Sequence, residues 1–467
     1  MLNIYNTLTR TKAEFHPIKA GKVGMYVCGI TVYDYCHIGH ARVMVAFDVI
    51  VRHMRARGYD VNYVRNITDI DDKIFLRAQE NGESYQVLTK RFIEAMHDDE
   101  RALHVLSPDF EPRASEHMAE ILEMISTLVD NGSAYLADNG DVYFSVEKFE
   151  NYGRLTNKKI DELLTGVRVE VEASKRNSVD FALWKAAKPE EASWPSPWGE
   201  GRPGWHIECS AMSTKCLGNT FDIHGGGPDL PFPHHENEIA QSEAATGQKY
   251  VNTWVHAGAV RVDNEKMSKS LGNFFTIRDV LKKYHPEVIR YFLISSHYRS
   301  PISYSEDNLK IAAGALKRFY VALRGVDTNI EGVAAEGVEL ERFNVAMDDD
   351  FNTPEALAVM FDAAKSLNVL KNSRSEGVEE AAMELKLMGN ALGLLEEDPD
   401  IFLQAGAEQL GEQFKQEVEA LIAQRKAARE TKNWVLADEA RDALKARKVI
   451  VEDRPDGSTI WRIEGDS

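Results

Sequence analysis

A strand, a helix and a second strand, joined by one sharp turn, constrain the fold more than any other feature of this sequence. The first strand is predicted around Val23–Val27, the turn between Cys28 and His40, and the second strand over Val61–Ile67. The helix between them is predicted from apolar residues at helical spacing, which are Met44, Phe47, Val51 and Met54. Gly58 favours the end of that helix. This order predicts a βαβ unit at the start of a nucleotide-binding sheet.

Composition excludes several classes of protein. With 467 residues, of which 43% are hydrophobic and 28% charged, the chain has room for roughly three or four domains of ordinary size. Its N-terminus has neither the basic nor the apolar segment of a secretion signal, and no apolar run approaches the roughly 20 residues of a membrane span. We therefore expect a cytoplasmic protein with no membrane partner.

Cysteine content and net charge argue against two further possibilities, a disulfide-stabilised fold and indiscriminate binding to nucleic acids. The four cysteines are too few and too scattered for a disulfide framework, which leaves free thiols or metal ligands at Cys28, Cys36, Cys209 and Cys216. The net charge of −19 argues against indiscriminate binding to nucleic acids, which depends on dense lysine and arginine. A nucleic-acid partner would need a local basic surface.

Further along the chain the pattern changes from mixed to helical. Two amphipathic helices are predicted within Tyr85–Leu128, and an alternating strand over Val142–Val146 opens a loop-rich stretch that looks like an insertion. Asp222–Gly227 ends a further strand, and a helix is predicted over His234–Ala245. Beyond Leu281 almost all the apolar spacing is helical, which predicts a bundle.

The last part of the chain is predicted to be a small α+β module. The acidic run Glu396–Asp400 is expected to end the bundle. Helices are then predicted over about Gln413–Thr431 and Trp434–Arg447. A hairpin follows, with strands at Val449–Val451 and Thr459–Trp461 around a Pro-Asp-Gly turn.

Two short motifs point to a nucleoside triphosphate. In the His motif, His37-Ile38-Gly39-His40, glycine lets a ligand approach the backbone at a helix start, where two imidazoles offer hydrogen-bond donors to phosphate. The Lys motif, Lys266-Met267-Ser268-Lys269-Ser270, lies in a polar stretch that predicts a mobile loop with two cations. Such groups stabilise the charge that develops during nucleotidyl transfer. Taken alone, the His motif also fits a simple helix start, and the Lys motif also fits a solvated basic loop.

A metal site is the third candidate. His234 and Glu238 are four residues apart, so they share one face of a helix. Cys28 and Cys209 are the best candidates for two further ligands, and Cys36 and Cys216 are less well placed. The alternatives are that these cysteines are merely buried apolar residues, or that His235 replaces His234.

A site with two thiolates, an imidazole and a carboxylate has a clear use beside an amino-acid pocket. Zinc prefers thiolate, so a substrate thiol would bind far better than a hydroxyl. An apolar pocket alone separates such near-isosteres only about 10- to 200-fold. The predicted site would therefore select cysteine over serine.

These residues resemble those of the bacterial-type cysteinyl-tRNA synthetases, a family of class I aminoacyl-tRNA synthetases. The resemblance covers nearly the whole chain and rests, besides the two motifs, on segments 26–29, 31–34, 66–73, 204–210, 222–227 and 234–238. Many members have proline where this chain has Ile30, and a proline there would only stiffen the turn.

The resemblance implies an α/β fold in which a Rossmann-type parallel-sheet catalytic domain with a connective insertion precedes an α-helical bundle and an α+β C-terminal module. The catalytic domain would comprise 1–115 and 204–257, with the insertion at 116–203. The Lys motif and a stem-contact region would occupy 258–310, the helical bundle 311–402 and an anticodon-recognition module 403–467. A monomer is expected, because no exposed heptad or swapped element suggests a dimer.

The resemblance also implies ligands and site residues. One Zn²⁺ would bind Cys28, Cys209, His234 and Glu238. L-cysteine would contact Gly29, Thr68, Trp205, His224 and Asp229. ATP, accompanied by Mg²⁺, would contact His37, Gly39, His40, Lys266, Ser268 and Lys269, of which the two histidines and two lysines are the implied catalytic residues. The implied reaction forms cysteinyl-adenylate and then charges the 3′ end of tRNA(Cys).

Positive charge gathers in the last module despite the acidic total. A basic face with an aromatic side chain can stack an unpaired RNA base, and the candidate residues are Arg429, Trp434 and Asp438. The alternative from the residues alone is a helical hairpin with solvated lysines and Trp434 in its core. The resemblance favours RNA binding.

Three functions remain open on the sequence. The first is a tRNA synthetase, and the second is a related ligase that activates cysteine but passes it to an amino-sugar thiol precursor. By the resemblance, such ligases lack a C-terminal module like 413–463. The third is a catalytically silent RNA-binding or regulatory paralogue, which should have lost a residue of the His motif, the Lys motif or the metal site. Here all of these residues are present.

Overall fold

The structure is a computed structural model, and it describes residues 1–157, 174–188, 192–262, 265–266, 274–328, 337–408, 412–453 and 459–463. The chain divides into two compact units. The first comprises Met1–Lys283, Ser296–Tyr304 and Val345–Pro354, and the second comprises Tyr284–Ser295, Ser305–Asn344 and Glu355–Ser467. No helix in the described ranges is long and apolar enough to cross a membrane.

Strands and helices alternate along the first unit. In chain order they are β1 (Asn3–Asn6), β2 (Thr11–Glu14), β3 (Lys22–Thr31), α1 (Ile38–Ala56), β4 (Asp60–Thr68), α2 (Asp72–Asn81), α3 (Tyr85–Ala102), α4 (Met118–Asp130), β5 (Ala134–Leu136), β6 (Val142–Phe144), β7 (Phe181–Ala186), β8 (Gly201–Pro203), α5 (Trp205–Leu217), β9 (Phe221–Gly226), α6 (Glu236–Thr246), β10 (Val251–His256), β11 (Val260–Val262), β12 (Glu265–Lys266), α7 (Ile277–Leu281) and, after a helix of the second unit, β13 (Ile302–Tyr304).

A parallel four-stranded sheet forms the centre of this unit, in the order β10-β9-β3-β4. The connection from β3 runs through α1 to β4 on one side, and the chain later returns to β9 on the other side of β3. The strand order therefore reverses between β3 and β9, and ligands of open α/β sheets bind at the carboxyl ends of the strands beside such a point. The predicted βαβ unit and Rossmann-type parallel sheet are confirmed.

Helix α1 forms where apolar spacing predicted it. Met44, Phe47, Val51 and Met54 are all buried. Gly58 directly follows the C-cap Arg57 and has a φ of +87°, a conformation that would be strained for a residue with a side chain. The helix is longer than its apolar stripe, because its N-terminus extends back to the His motif.

The predicted insertion contains α4 and an antiparallel sheet in the order β5-β6-β7-β8. Its core includes the fully buried Ile121, Phe144 and Trp184. The sheet leads directly into α5 at Gly204, where a Cβ atom would lie 2.0 Å from the Ala182 carbonyl oxygen. Close contact with β7 therefore fixes the start of α5.

Short strands frame the Lys motif. β12 pairs antiparallel with β11, and β11 pairs parallel with β13. Lys266 is the last residue of β12. Residues 267–270, and with them the predicted mobile loop, lie outside the described residues.

The second unit is helical until its C-terminal hairpin. Its elements, some of whose ends lie in the first unit, are α8 (Pro286–Ile294), α9 (Glu306–Leu323), α10 (Val338–Asp348), α11 (Thr353–Ser373), α12 (Val378–Ala391), α13 (Pro399–Glu408), α14 (Glu412–Glu430), α15 (Trp434–Ala446), β14 (Val449–Asp453) and β15 (Thr459–Ile463). The last two helices and the antiparallel β14–β15 pair agree with the predicted module, although residues 454–458, with the predicted turn, lie outside the described residues.

The acidic run Glu396–Asp400, whose place at the end of the bundle stays a prediction, contacts two helices of the second unit. α13 begins inside the run, at Pro399. The buried Glu287 carboxylate accepts from the backbone N–H of Glu396 at 2.9 Å, and Arg324 Nε donates to Asp400 Oδ1 at 2.6 Å. These contacts attach the run to α8 and α9. The charge of the run alone did not indicate this attachment.

Candidate active site and metal centre

Four side chains from distant parts of the sequence meet near the carboxyl end of β3. Cys28 lies in β3, Cys209 in α5, His234 in the irregular turn that precedes α6, and Glu238 in α6. All four are buried, with 7% or less of their surface exposed. We call them the metal cluster.

Distances within the metal cluster fit a tetrahedral metal ion. Cys28 Sγ lies 3.7 Å from Cys209 Sγ, 3.5 Å from His234 Nε2 and 3.5 Å from Glu238 Oε1, and the last two atoms are 3.0 Å apart. Bonds to zinc of about 2.3 Å from sulfur and 2.0–2.2 Å from nitrogen or oxygen place tetrahedral ligands roughly 3.3–3.8 Å apart. The three distances from Cys28 lie in this range, and the His234–Glu238 distance of 3.0 Å is that of a hydrogen bond and slightly shorter. The donor chemistry is suitable for zinc.

Charges within the cluster also favour a cation. The Cys28 thiol donates a hydrogen bond to Cys209 Sγ, which lowers the pKa of Cys209 to about 6 against the effect of burial. Burial raises the pKa of Cys28, and the nearby Cys209 and Glu238 raise it further. Burial disfavours a charged His234, but the Glu238 carboxylate and Cys209 outweigh it and raise the pKa of His234 to about 10. Positive charge is thus stabilised at the centre of the cluster.

A second layer of hydrogen bonds orients two of these side chains. His224 Nε2 lies 2.8 Å from Glu238 Oε2, and the Tyr250 hydroxyl donates to the same oxygen at 3.1 Å. His206 Nδ1 and His234 Nδ1 are 2.8 Å apart, so a hydrogen bond between them turns His234 Nε2 towards Cys28. Such outer partners fix the ring orientation and basicity of metal ligands.

Sequence reasoning missed His206 and Tyr250. His206 had one available signal, since it precedes Cys209 by three residues and shares a face of α5. Tyr250 had none, because it lies outside the motifs and reaches Glu238 only through the fold.

His235 remains close to the cluster. It lies, with Cys28, His234 and Glu238, in a group whose ligand atoms are within 4.8 Å of one another. Its Nε2 is 3.9 Å from Glu238 Oε1, against 3.0 Å for His234, and its Nδ1 is 2.8 Å from His256 Nε2. Burial lowers the pKa of His235 and keeps the ring neutral. The shorter contacts favour His234 as the ligand. That group lacks Cys209, which joins the cluster through its 3.7 Å contact with Cys28, and among the described residues no such group contains Cys36 or Cys216.

The predicted substrate contacts differ in how near they lie to the cluster. Trp205, at the start of α5, stacks on the His234 ring with centroids 4.1 Å apart and keeps 38% of its surface exposed. Gly29 follows Cys28, and a Cβ there would lie 1.7 Å from the Asn66 carbonyl oxygen, so only glycine fits. Thr68 is buried at the end of β4.

The other two predicted substrate contacts, His224 and Asp229, lie in less obvious positions for contacting a substrate at the cluster. His224 is completely buried against Glu238, in the second layer rather than on an open surface. Asp229 lies on the exposed turn after β9, with its carboxylate next to Gly227. Contact between these residues and substrate stays a prediction.

The His motif caps α1 through its own side chains. His37 Nδ1 accepts from the His40 backbone N–H at 3.2 Å, and His40 Nδ1 accepts from the His37 backbone N–H at 3.3 Å. The two rings stack with centroids 3.6 Å apart. When Nδ1 of a neutral imidazole accepts a hydrogen bond, the single ring proton lies on Nε2. Both half-buried rings can therefore donate from Nε2 at a helix N-terminus.

Backbone pairing joins the His motif to the segment just after the Lys motif. Ile38 N donates to the Phe275 carbonyl at 3.1 Å, and Ile277 N donates to the Cys36 carbonyl at 2.9 Å. The His37 ring also meets Phe274 edge-on, with centroids 5.1 Å apart. The chain that leaves the Lys motif is thereby held at the predicted ATP site. The side chains of Lys266, Ser268 and Lys269 lie outside the described residues.

In the C-terminal module the candidate RNA contacts lie on the surface. Trp434 is 61% exposed at the start of α15, whereas Trp461 lies in the module core. The alternative that places Trp434 in the core is therefore wrong. Arg429 pairs with Asp453, and Asp438 lies 2.9 Å from Arg441. The module thus offers an exposed aromatic ring, and the candidate residues Arg429 and Asp438 each form an ion pair.

Family profiles match almost every part of the chain. Residues 14–314 match the class I (C) tRNA synthetase catalytic domain, residues 342–396 the DALR domain, and residues 412–462 the anticodon-binding domain of cysteinyl-tRNA ligase.

Similar proteins agree over the full length. The chain is 62% identical to the cysteine–tRNA ligase of Ectopseudomonas mendocina, over 99% of each chain, and 61% identical to that of Chromohalobacter salexigens, over 100% of each. The methionyl-tRNA synthetase of Mycobacterium tuberculosis, solved with methionyl-adenylate, shares the fold at 17% identity and a TM-score of 0.54, covering 82% of this chain and 91% of that one. The chain therefore belongs to the cysteine–tRNA ligases, a family of class I aminoacyl-tRNA synthetases.

Proposed function

We propose that this chain activates L-cysteine with ATP, forming cysteinyl-adenylate and pyrophosphate, and then transfers the cysteinyl group to the 3′ end of tRNA(Cys). The observation that carries the proposal is the buried metal cluster, which shares one sheet edge with the His motif. Relatives that span the whole chain and are named for this reaction support it.

Cys28, Cys209, His234 and Glu238 would hold one Zn²⁺ per chain. When bound, Zn²⁺ supplies a Lewis acid that prefers a thiolate to a hydroxyl ligand, which favours cysteine over serine. Selection of this kind requires the four side chains to keep their positions, because a displaced ligand would admit other donors. Burial and the second layer of hydrogen bonds meet that requirement.

The rest of the cysteine substrate is assigned to residues around the cluster. Trp205 can cover the substrate, since its ring is anchored on His234 and is partly exposed. Gly29 allows a close approach to the backbone beside Cys28. The amino and carboxylate groups of cysteine are assigned to Gly29, Thr68, Trp205, His224 and Asp229.

Adenylation places the cysteine carboxylate in line with the α-phosphorus of ATP, so that the new oxygen–phosphorus bond forms as pyrophosphate leaves. His37 and His40 donate from Nε2 to phosphate oxygens, and Gly39 at the start of α1 lets the phosphates approach the backbone. Lys266 and Lys269, with the Ser268 hydroxyl, act on the pyrophosphate side, and Mg²⁺ accompanies the nucleotide. Their task is to stabilise charge that grows in the transition state.

The transfer step requires recognition of tRNA. Trp434 is exposed and can stack on an unpaired base, and Arg429 and Asp438 lie on the same module. Residues 403–467 are assigned to the anticodon, residues 258–310 to the stem, and residues 311–402 to the helical bundle. The catalytic domain is assigned to 1–115 and 204–257, interrupted by the insertion at 116–203. The enzyme is proposed to act as a monomer in the cytoplasm.

The test measures cysteine-dependent exchange of pyrophosphate into ATP, followed by aminoacylation of tRNA, with serine as the control. We expect exchange with cysteine, far less with serine, and charging of tRNA(Cys). Exchange without charging would support instead a ligase that passes cysteine to another acceptor. No exchange at all would support a catalytically silent RNA-binding protein.

A further inference from the structure

A set of hydrogen bonds joins the predicted insertion to the helix that carries Glu238. The Glu236 side chain is completely buried, and its two oxygens accept from the backbone N–H groups of Gly153 at 2.9 Å and Leu155 at 3.0 Å. The Tyr152 hydroxyl donates to Asn237 Oδ1 at 2.5 Å. We call these three contacts the insertion clamp.

The insertion residues that form the clamp are well packed against the rest of the first unit. Leu155 is 1% exposed and lies in the same hydrophobic core as Cys28 and Cys209. Its carbonyl oxygen also accepts from Arg10 Nη2 at 3.3 Å. The segment that Glu236 binds is therefore attached both to the core beneath the metal cluster and to the loop after β1.

The clamp and the metal cluster hold different sides of α6. Successive helical residues are about 100° apart, so Glu236 and Glu238 point in nearly opposite directions. Glu238 reaches the cluster, where its Oε1 is 3.0 Å from His234 Nε2. A small rotation of α6 about its axis would move this oxygen, and metal sites tolerate only about 0.2 Å of error in ligand distance.

We propose that the insertion clamp positions the metal centre: Glu236, by binding the backbone of Gly153 and Leu155, and Asn237, by binding Tyr152, together set the rotation of α6 and hence the place of the Glu238 carboxylate. The inference rests on the proposed function, because it requires that the cluster binds Zn²⁺. It also makes the insertion part of the apparatus that selects cysteine. The simpler view is that Glu236 only satisfies two buried N–H groups and affects stability alone.

The decisive variant is Glu236→Gln, which keeps the size of the side chain but replaces one accepting oxygen with an NH₂ group facing a backbone donor. Zinc affinity, measured by competition with a chromophoric chelator, should fall about 10-fold, within the range seen when outer partners of metal ligands are lost. The absorption spectrum of the cobalt-substituted protein should change as well. A purely structural Glu236 would alter neither property in the folded protein.

The matched control is Glu120→Gln in α4, which is also part of the predicted insertion. It weakens the surface contact with Lys215, at 3.0 Å, but leaves the clamp intact, so zinc affinity and the cobalt spectrum should remain those of the unmodified protein. Should Glu236→Gln fail to fold, Tyr152→Phe removes only the contact with Asn237 and should still weaken zinc binding measurably, by less than the loss of about 10-fold expected of Glu236→Gln.

The outcomes separate this inference from the proposed function. If the unmodified protein binds no zinc, the proposed function has failed at its metal site and the inference falls with it. If the unmodified protein binds zinc and folded Glu236→Gln binds it equally well, with an unchanged cobalt spectrum, the inference alone is overturned. If only Tyr152→Phe can be measured, unchanged zinc affinity in that variant overturns it.

Discussion

The metal side and the phosphate side of the site lie on one sheet edge but are built in different ways. The metal side consists of the metal cluster and its hydrogen-bonding partners, all of them buried side chains except the half-buried His206. The phosphate side consists of the His motif, residues 274–276 and α7, where half-buried rings are held through backbone atoms.

This difference matches the two tasks. Distinguishing a thiol from a hydroxyl requires ligands fixed in advance at short distances, so they are surrounded by further hydrogen bonds. Nucleotidyl transfer requires hydrogen-bond donors that contact the phosphate oxygens as negative charge develops on them. The His motif provides such donors at a helix N-terminus, next to the segment that follows the two lysines of the Lys motif. A change on one side should therefore leave the other side largely intact.

The largest expected effect is that of Cys209→Ser on the metal side. Loss of a thiolate ligand should lower zinc affinity, and kcat/KM for cysteine in pyrophosphate exchange, by more than about 100-fold, the upper end of what loss of an outer partner costs. The KM for ATP should change by less than about threefold, since no phosphate-side group is altered. Cys216→Ser is the control, because Cys216 is outside the cluster. Equal losses for cysteine and ATP would remove the distinction between the two sides.

His40→Ala should produce the reverse pattern. It removes a proposed phosphate donor and the acceptor of the His37 N–H, so kcat for exchange should fall about 100-fold, as when one preorganised donor is lost. Zinc content, measured by elemental analysis, should stay at the unmodified value. The exposed His16→Ala serves as the control. Loss of zinc from His40→Ala would show that the two sides are coupled.

Arg278→Ala should weaken the phosphate side more mildly. Arg278 attaches α7 to α3, since its Nη2 donates to the Ala95 carbonyl at 2.9 Å and its Nε lies 3.0 Å from Asp99 Oδ1. Without it the segment after the Lys motif is less well positioned, and kcat for exchange should fall about 10-fold, while zinc affinity is unchanged. Lys282→Ala, at the exposed end of α7, should have no effect on either quantity. An equal loss in both variants would mean that Arg278 does not position the segment.

The smallest expected effect is a pH dependence on the phosphate side. Burial raises the pKa of Asp99 to about 6, although Arg278 opposes the shift. A carboxyl group whose pKa is raised by folding contributes stability that is fully present below its unfolded pKa of about 4 and is lost as pH rises through its folded pKa. Between about pH 5 and pH 8 the free energy of unfolding should therefore fall by about 1 kcal/mol more in the unmodified protein than in Asp99→Asn. Denaturant titration at both pH values checks this, with Asp60→Asn, in the exposed pair with Lys22, as the control. Parallel pH profiles would contradict it.

The sequence was most informative for elements whose formation depends on a pattern of neighbouring residues. Apolar spacing predicted α1, and the Pro-Asp-Gly turn residues predicted the hairpin β14–β15. Charge alone was less informative. The run Glu396–Asp400 was predicted to end the bundle, but its sequence did not show that Glu287 and Arg324 bind it or that α13 begins within it.

For the site, the sequence could propose residues but not their assembly. The four-residue spacing of His234 and Glu238 assumed one helix, whereas α6 begins only at Glu236 and His234 precedes it. Cys28 and Cys209 are 181 residues apart, and only the folded sheet brings their sulfurs within 3.7 Å. The contacts of Tyr250 and Glu236 had no sequence signal, because their partners lie in other elements.

The central claim is that the metal cluster binds the thiol of the substrate, and a titration of the cobalt-substituted protein tests it most directly. Sulfur bound to cobalt gives a charge-transfer absorption that oxygen ligands do not reproduce. Addition of L-cysteine should increase this absorption until one equivalent is bound, and L-serine should leave it unchanged. Cysteine binding with no change in the cobalt spectrum, or equally tight binding to the metal-free protein, would contradict the account.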